Sequence, residues 1–268
     1  MTPPAHTRET RGLASEIKFL VDPSTGGRIR DWARARLQPD PYGEGPFGDE
    51  YHTTSLYFDT PEFDVFRRNG SYGRSKYRIR RYDGLAVAFL ERKLRRGTRL
   101  NKRRSLVPIE DLLKLDAGTI NGAWAGSWFE QRLLVRRLRP VCQIGYRRMA
   151  RVEMRDTGPI RLTLDEDLRV LPRTHVRFGG DHALPALPEM MVLELKYREV
   201  LPALFKQLVE EFTLMPRSVS KYRFAIDALG LFEERVQEKV LEKVVPEDTA
   251  ATPTRARLGA PGGDATYA

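Results

Sequence analysis

The stretch Arg74-Ser75-Lys76-Tyr77-Arg78-Ile79-Arg80 places a cationic side chain at every second position. Successive side chains of a β-strand point to opposite faces, so Lys76, Arg78 and Arg80 project together while Tyr77 and Ile79 face the other way. The stretch therefore predicts a strand with one strongly basic face and one apolar face.

Four further segments alternate in the same way, or nearly so: residues 16–20, 89–93, 161–165 and 192–196. Arg92 interrupts the pattern in the second of them. By the same geometry these segments project pairs of ionised side chains, namely Glu16 with Lys18, Glu91 with Lys93, Arg161 with Asp165, and Glu194 with Lys196. We expect a polyanion to bind where these charged faces converge.

Composition supports this interpretation and excludes several others. The chain has 268 residues, a formal net charge of +10 and a sequence pI near 9.8. Such a field attracts nucleic acid, anionic lipid or small phosphorylated ligands.

Cys142 is the only cysteine, which rules out an internal disulfide and argues against a thiolate metal site. The length suits one large barrel domain or two ordinary domains.

No apolar run approaches the roughly 20 residues that a membrane-spanning helix requires. The N-terminal residues also lack the apolar stretch of a signal peptide, so the sequence predicts a cytoplasmic protein without a transmembrane segment. Residues 1–12 are polar and residues 245–268 have no periodic pattern. They predict a flexible N-terminus and a disordered tail.

Strand-like patterns predict eight strands, near residues 14–21, 51–59, 74–83, 86–94, 99–107, 141–155, 160–170 and 190–198. Asp83-Gly84 is a short-hairpin signal and Arg96-Gly97 a second turn signal, which favour consecutive antiparallel pairing. Helical periodicity is found over residues 25–37, 109–115, 124–138, 201–213 and 222–244.

The apolar strand faces offer these helices a surface to cover, and two arrangements of the charged faces then remain open. They can line the inside of a closed barrel that is wide enough for solvent and ligand, which would give a charged tunnel. They can also form the solvated face of an open sheet. Periodicity does not decide between the two.

A set of short motifs occurs in the order typical of one family. They are Glu16-Ile17-Lys18-Phe19, Ser55-Leu56-Tyr57-Phe58-Asp59-Thr60, Lys76-Tyr77-Arg78-Ile79-Arg80, Glu91-Arg92-Lys93, Tyr146-Arg147-Arg148, Arg161-Leu162-Thr163-Leu164-Asp165, Glu194-Leu195-Lys196 and Ser220-Lys221-Tyr222. The chain resembles the VTC domain, the polyphosphate polymerase of the triphosphate tunnel metalloenzyme (CYTH-like) superfamily, over about residues 14–229. The resemblance implies an α+β fold, an eight-stranded antiparallel β-barrel tunnel with helices outside, spanning residues 13–244.

The resemblance also implies a set of phosphate-contacting cations. The catalytic set consists of Lys18, Arg78, Arg80, Lys93, Arg148, Arg161 and Lys221. Further substrate-binding candidates are Arg67, Lys76, Lys102, Tyr146, Lys196 and Ser220. Alternatives stay open for part of this set: Lys76 and Lys196 can serve as ion-pair partners of neighbouring carboxylates, and Tyr146 and Ser220 can be core or capping residues.

Glu194 matches the family's metal-binding glutamate, and Mn²⁺ or Mg²⁺ is the implied cofactor. Both ions take oxygen ligands and commonly bind through one or two carboxylates together with substrate phosphates. For Glu16, Glu91 and Asp165 two roles remain: contributing to the metal site, or orienting the lysines and arginines.

The family implies transfer of the γ-phosphate of ATP to a growing polyphosphate chain, with ATP and polyphosphate as partners. Two alternatives are a triphosphatase of the same superfamily and a non-catalytic polyphosphate binder. No helix-turn-helix, RNP or zinc-finger pattern supports sequence-specific nucleic-acid binding, and no Walker A motif is found. The sequence leaves open a membrane-associated partner.

Overall fold

The computed structural model describes residues 6–11, 14–96, 99–116, 122–180, 182–233 and 235–237. The chain divides into a unit of residues 1–232 and a unit of residues 233–268. The described part of the second unit is limited to residues 233 and 235–237. The first unit is an α+β structure in which one antiparallel sheet carries the candidate site.

The strands are β1 His6–Arg11, β2 Ala14–Val21, β3 Gln38–Pro39, β4 Glu50–Asp59, β5 Ser75–Tyr82, β6 Val87–Arg96, β7 Arg99–Pro108, β8 Arg139–Arg155, β9 Gly158–Pro172, β10 Leu184–Pro185 and β11 Met191–Arg198. The α-helices are α1 Pro23–Arg36, α2 Asp64–Arg67, α3 Ser127–Val135, α4 Ala203–Glu211 and α5 Lys221–Ala228. Gly70–Arg74 and Glu110–Leu115 form 3₁₀ turns.

The strands form one 11-stranded sheet in the order β1-β7-β6-β5-β4-β8-β9-β11-β2, with β10 on β9 and β3 on β8. All recorded pairings are antiparallel. The eight predicted strands correspond to β2, β4, β5, β6, β7, β8, β9 and β11, which confirms the predicted antiparallel α+β fold. The sequence did not predict β1 or the two-residue strands β3 and β10.

The two terminal strands of the sheet order, β1 and β2, are consecutive in the chain and only residues 12 and 13 lie between them. Because β1 pairs with β7 while β2 pairs with β11, the sheet curls until its two edges approach each other. An ion pair of 3.0 Å between Lys93 Nζ on β6 and Glu16 Oε1 on β2 spans these two regions. The sheet is therefore a curled tunnel rather than a barrel closed by a continuous ladder.

The apolar strand faces are covered by helices. Phe19, Leu193 and Leu195 are fully buried in one core cluster with Ile29 of α1 and Phe205 of α4. A second cluster joins the apolar faces of β4 to β9 with residues of α3 and α5, among them Leu56, Ile79, Leu90, Ile144, Phe129 and Ile226. Since the apolar faces are packed beneath helices, the charged faces turn to the interior of the curl.

Some predicted boundaries differ from the structure. Residues 1–12 were predicted to be flexible, but residues 6–11 form β1 on the edge of β7. α5 ends at Ala228 and a turn follows at residues 229–230, so the predicted helix over residues 222–244 is interrupted. Residues 231–233 and 235–237 are helical again, and residues 238–244 lie outside the described residues. The predicted disordered tail, residues 245–268, lies outside the described residues. Within the described part of the chain, the helices are too short or too polar to span a bilayer.

Candidate active site in the tunnel

The basic face of β5 lies inside the curl, as its alternation predicts. Tyr77 and Ile79 are 3% and 0% exposed in the outer core, whereas Arg78 and Arg80 contact polar groups on neighbouring strands and Lys76 contacts Ser220 at the start of α5. The register places Arg78 opposite Glu91 of β6. The same alternation on β6 and β7 brings their charged residues to the same interior surface.

Glu91 is the carboxylate on which this basic surface converges. Its Oε2 accepts a hydrogen bond of 2.7 Å from Arg78 Nε, and its Oε1 accepts one of 2.8 Å from Arg104 Nε. Lys102 Nζ lies 3.3 Å from Oε1. Burial alone would raise the pKa of Glu91, but the nearby cations hold it well below its usual value. Glu91 therefore stays ionised and orients three cations.

Arg80 is a buried cation, 5% exposed, whose hydrogen-bond partners are hydroxyl groups. Its Nε donates to Ser55 Oγ at 3.1 Å and its Nη2 donates to Tyr146 Oη at 3.0 Å. Within the described residues, no carboxylate oxygen lies within ion-pair distance of its guanidinium. A guanidinium can grip phosphate oxygens bidentately, so Arg80 is well suited to receive an anion.

Lys76, near the opposite end of β5, also has a hydroxyl partner, but its side chain is more exposed than that of Arg80. Its Nζ donates to Ser220 Oγ at 3.2 Å. Burial lowers the pKa of Lys76 to about 8, and the positive charges of Lys18 and Lys93 contribute to this shift. In the sheet register Lys76 is opposite Lys93, which is in turn opposite Lys102. Three neighbouring strands thus present lysines at one level, and a polyanion would relieve their mutual repulsion.

The pKa of Lys102 is lowered as well. Burial lowers its pKa to about 8, because the repulsion from Arg104 and Arg78 adds to the burial and Glu91 offsets only part of it. Ion pairing was the alternative role predicted for Lys76. Among the residues that the structure describes, its side chain contacts the Ser220 hydroxyl and forms no ion pair.

Charges of opposite sign alternate along and across β2 and β11. Glu194 lies opposite Lys18, and Lys196 lies opposite Glu16. Lys18 Nζ lies 3.5 Å from both Glu16 Oε1 and Glu194 Oε2, and Lys196 Nζ lies 2.8 Å from Glu194 Oε1. Burial would raise the pKa of Glu194, but Lys196 and Lys18 hold it well below its usual value. The structure thus supports the ion-pair interpretation of Lys196.

Asp165 of β9 is fully buried and binds two of the predicted catalytic cations. It accepts a hydrogen bond of 2.8 Å from Arg148 Nη2, while Lys221 Nζ lies 2.6 Å from Oδ2. Burial alone would raise the pKa of Asp165, but these two cations lower it to about 2. Asp165 consequently positions Arg148 and Lys221 across the junction between the sheet and α5.

The Ser220-Lys221-Tyr222 segment connects the start of α5 to three strands. Besides the contacts of Ser220 with β5 and of Lys221 with β9, Tyr222 Oη donates a hydrogen bond of 2.6 Å to Asp59 Oδ2 on β4. The Tyr222 ring also stacks on Tyr57, with centroids 5.5 Å apart. These contacts fix where Lys221 enters the tunnel.

Two predicted residues, Arg161 and Arg67, do not take part in these tunnel contacts. Arg161 Nη2 contacts Asp40 Oδ2 at 2.7 Å and donates to Tyr51 Oη at 2.8 Å, so in this structure its side chain is bound to a loop carboxylate. Arg67 is exposed at the last position of α2, outside the contacts that link the tunnel side chains. The structure brings the remaining predicted residues into the curl.

Sequence reasoning missed several interior polar residues, namely Tyr51, Ser55, Tyr57 and Tyr82. Tyr57 Oη accepts a hydrogen bond of 3.4 Å from Arg78 Nη1. The hydroxyl groups of Tyr51 and Ser55 likewise accept hydrogen bonds from Arg161 and Arg80, respectively. Burial would raise the pKa of Tyr82, but Arg80 and Arg104 lower it to about 8. The available signal was that Tyr51, Ser55 and Tyr57 share one face of β4.

A metal would have to bind largely through its substrate. The described residues contain no group of three or more histidine, cysteine or acidic side chains arranged to hold an ion. Glu194 and Glu16 share Lys18 as a neighbour, so they are two adjacent carboxylates beside a phosphate-binding surface. This donor set fits Mg²⁺ or Mn²⁺, which bind through one or two carboxylates and substrate phosphates.

The VTC domain family model matches residues 13–229. The chain therefore belongs to the VTC domain family, and the resemblance seen in its motifs is confirmed. Among curated proteins, no sequence matches this chain.

Solved structures with a similar fold include a proposed adenylate cyclase from Bacillus halodurans, at 13% identity and a TM-score of 0.49, covering 81% of this chain and 96% of that one. Another is a Hippeastrum protein with a dominant triphosphatase activity, at 16% identity and a TM-score of 0.47, covering 83% of this chain and 96% of that one.

Proposed function

We propose that this protein is a polyphosphate polymerase that transfers the γ-phosphate of ATP to a growing polyphosphate chain and releases ADP. Membership of the VTC domain family supports a function on polyphosphate or triphosphate. The observation that carries the proposal is the buried guanidinium of Arg80, which has only hydroxyl partners among the described residues.

The cost of burying such a cation explains why it marks a ligand site. Taking a charge out of water is unfavourable unless an opposite charge or hydrogen bonds compensate. Ser55 and Tyr146 satisfy two of the guanidinium donors, and an anion would complete the compensation. Lys76, Lys93 and Lys102 lie further along the same wall, so a chain of phosphates can contact one cation after another.

The state of the carboxylates favours transfer to a phosphate over hydrolysis. Hydrolysis gains from a base that removes a proton from water, and such a base works best with a pKa near the working pH. The pKa values of Glu16, Glu91, Asp165 and Glu194 are all lowered by paired cations. The terminal phosphate of polyphosphate is already an anionic nucleophile and needs no strong base.

Within this mechanism the fixed cations act by positioning and by electrostatic stabilisation, which dominate phosphoryl transfer. We assign phosphate binding to Arg80, Arg78 and Lys76 on one side, and to Arg148 and Lys221 on the other. Lys18 and Lys93 complete the surface near Glu16. Arg161 would join the set only after leaving Asp40.

Glu194, with Glu16 beside it, would hold Mn²⁺ or Mg²⁺. When bound, such an ion neutralises charge on the phosphate oxygens and thereby makes the donor phosphate a better electrophile. A donor such as ATP is consistent with the cytoplasmic location that the sequence predicts.

The test is to incubate the purified protein with ATP and Mn²⁺ and to assay polyphosphate chains, ADP and free phosphate separately. Long chains together with ADP would support the polymerase. Free phosphate without chains would instead establish a triphosphatase, and binding without turnover would establish a polyphosphate binder. An Arg80→Met variant tests whether any turnover depends on the tunnel.

A further inference from the structure

Thr163 is a buried polar residue in the tunnel wall that the phosphate-binding model leaves unused. It lies on β9 between Arg161 and Asp165, and its side chain shares their interior face because Leu162 and Leu164 are buried in the outer core. Thr163 is 1% exposed, and its Oγ1 has no hydrogen-bond partner within the described part of the chain.

An unpaired hydroxyl at such a position is costly. Leaving a buried donor or acceptor unsatisfied costs roughly 1–3 kcal/mol, whereas valine has almost the same shape and avoids this cost. Buried polar groups without protein partners commonly bind ordered water. The position therefore calls for a hydrogen-bond partner that is not a protein group.

The register identifies what this partner contacts. Thr163 is directly opposite Glu194 of β11, and its other cross-strand neighbour is Ala150 of β8. Directly opposite residues of an antiparallel pair have Cβ atoms roughly 4.5–5.5 Å apart. This separation lets one water molecule contact both the Thr163 hydroxyl and the Glu194 carboxylate, with Asp165 adjacent on the same strand face.

We propose that Thr163 is a positioning residue for the divalent cation at Glu194, and that its hydroxyl hydrogen-bonds a water of the hydration shell of the cation. Mg²⁺ and similar ions keep several waters when they bind through few carboxylates. Groups that orient such outer ligands typically change metal affinity by about 10–100-fold when removed. The proposal rests on the metal-dependent function proposed above.

The experiment measures affinity for tripolyphosphate in EDTA and, separately, affinity for a preformed Mn²⁺–tripolyphosphate complex, using calorimetry. Thr163→Val removes the hydroxyl with little change in shape, and Thr163→Ser retains it. We expect Thr163→Val to bind the metal-free anion like the wild type and to bind the Mn²⁺ complex about 10-fold more weakly. Thr163→Ser should restore most of this affinity.

Thr53 provides the matched control. It is 0% exposed, its Oγ1 also has no partner among the described residues, and its cross-strand neighbours are Tyr82 and Tyr146 instead of a carboxylate. Thr53→Val should leave affinity for the Mn²⁺ complex unchanged. An equal loss in Thr53→Val and Thr163→Val would show a general packing effect and overturn the proposal.

The remaining outcomes separate this inference from the proposed function. Wild-type affinity of Thr163→Val for the Mn²⁺ complex would overturn the role of Thr163 even if the protein synthesises polyphosphate. A wild type that binds both ligands equally would overturn it as well. Loss of metal-dependent affinity in Thr163→Val alone would support the role of Thr163, even if the wild type released free phosphate and made no chains.

Discussion

The two sides of the tunnel differ in how their cations are balanced. The wall formed by β5, β6 and β7, which we call the basic wall, contains Glu91 as its single acidic residue. The wall formed by β2, β9 and β11, which we call the mixed wall, carries Glu16, Asp165 and Glu194 in the interior. Cations of the mixed wall therefore have a nearby carboxylate, while Arg80 and Lys76 of the basic wall contact hydroxyls.

This difference indicates that the basic wall suits an anion and the mixed wall suits a divalent cation. The binding free energy of an anion is most favourable where the cations lack carboxylate partners, because the anion then displaces no existing ion pair. A divalent cation gains most beside carboxylates such as Glu194 and Glu16. A triphosphate held between the walls would satisfy both, with its oxygens on the basic wall and its metal on the mixed wall.

The largest expected effect comes from the basic wall. Replacing Arg80 with methionine removes a preorganised donor, and kcat should fall on the order of 10²–10³-fold. Steady-state kinetics with ATP and Mn²⁺ measure this loss, and Arg80→Lys should recover part of it by keeping the charge.

The matched control for this prediction is the next residue. Arg81 lies on the opposite face of β5, where its guanidinium is 5.1 Å from the centroid of the Phe178 ring. Arg81→Met should keep kcat within about twofold, because this side chain lies outside the site. Equal losses in Arg80→Met and Arg81→Met would remove the distinction between the interior and exterior faces.

On the mixed wall, Glu194→Gln should raise the Mn²⁺ concentration needed for half-maximal activity by roughly 10–100-fold, because a neutral amide binds the cation poorly. A metal titration of initial rates measures this shift. Glu166→Gln is the control, since Glu166 pairs with Arg30 and Arg147 outside the tunnel. Unchanged metal dependence in Glu194→Gln would exclude this glutamate from the metal site.

The junction with α5 makes a prediction about stability. Tyr222→Phe removes the hydrogen bond to the buried Asp59 carboxylate and should lower the free energy of unfolding by roughly 1–3 kcal/mol. Denaturant unfolding measures this change. Tyr197→Phe, at a hydroxyl that has no hydrogen-bond partner among the described residues, should change stability by less than about 0.5 kcal/mol. Equal stabilities of the two variants would contradict the anchoring role of Tyr222.

The smallest expected effect is a pH dependence of anion binding. The pKa values of Lys76 and Lys102 lie at about 8, so both side chains are charged at pH 7 and lose their protons as pH rises through 8. The affinity of the wild type for tripolyphosphate should therefore fall several-fold between pH 7 and pH 9. The fall over the same pH range should be smaller in Lys76→Met, which lacks one of the two titrating lysines. Binding at pH 8 should also take up protons, which calorimetry in two buffers measures.

Much of the sheet was predictable, because period-two alternation is a local property of the sequence. Residues 74–83 identified β5 and its interior face directly. β1 was missed because His6–Arg11 consists of polar residues without an apolar face. β1 forms by pairing with the edge of β7, and this pairing cannot be inferred from residues 6–11 alone.

The charge pairs of the site were less predictable, since they depend on register and on the curl of the sheet. The ion pair between Glu16 and Lys93 joins residues 77 positions apart, and Tyr222 and Asp59 are 163 positions apart. Tyr51 and Tyr57 were missed because a tyrosine in a strand is ordinarily part of the core. Arg161 was predicted among the phosphate-contacting residues, yet the loop that supplies Asp40 determines its present contact.

The most direct test of the shared interior surface is lysine acetylation footprinting by mass spectrometry, with and without tripolyphosphate and Mn²⁺. We expect the ligand to protect Lys76, Lys93 and Lys18 on both walls, while the exposed Lys206 of α4 is acetylated equally in both conditions. Protection of Lys206 with unchanged acetylation of the three interior lysines would overturn the shared interior surface.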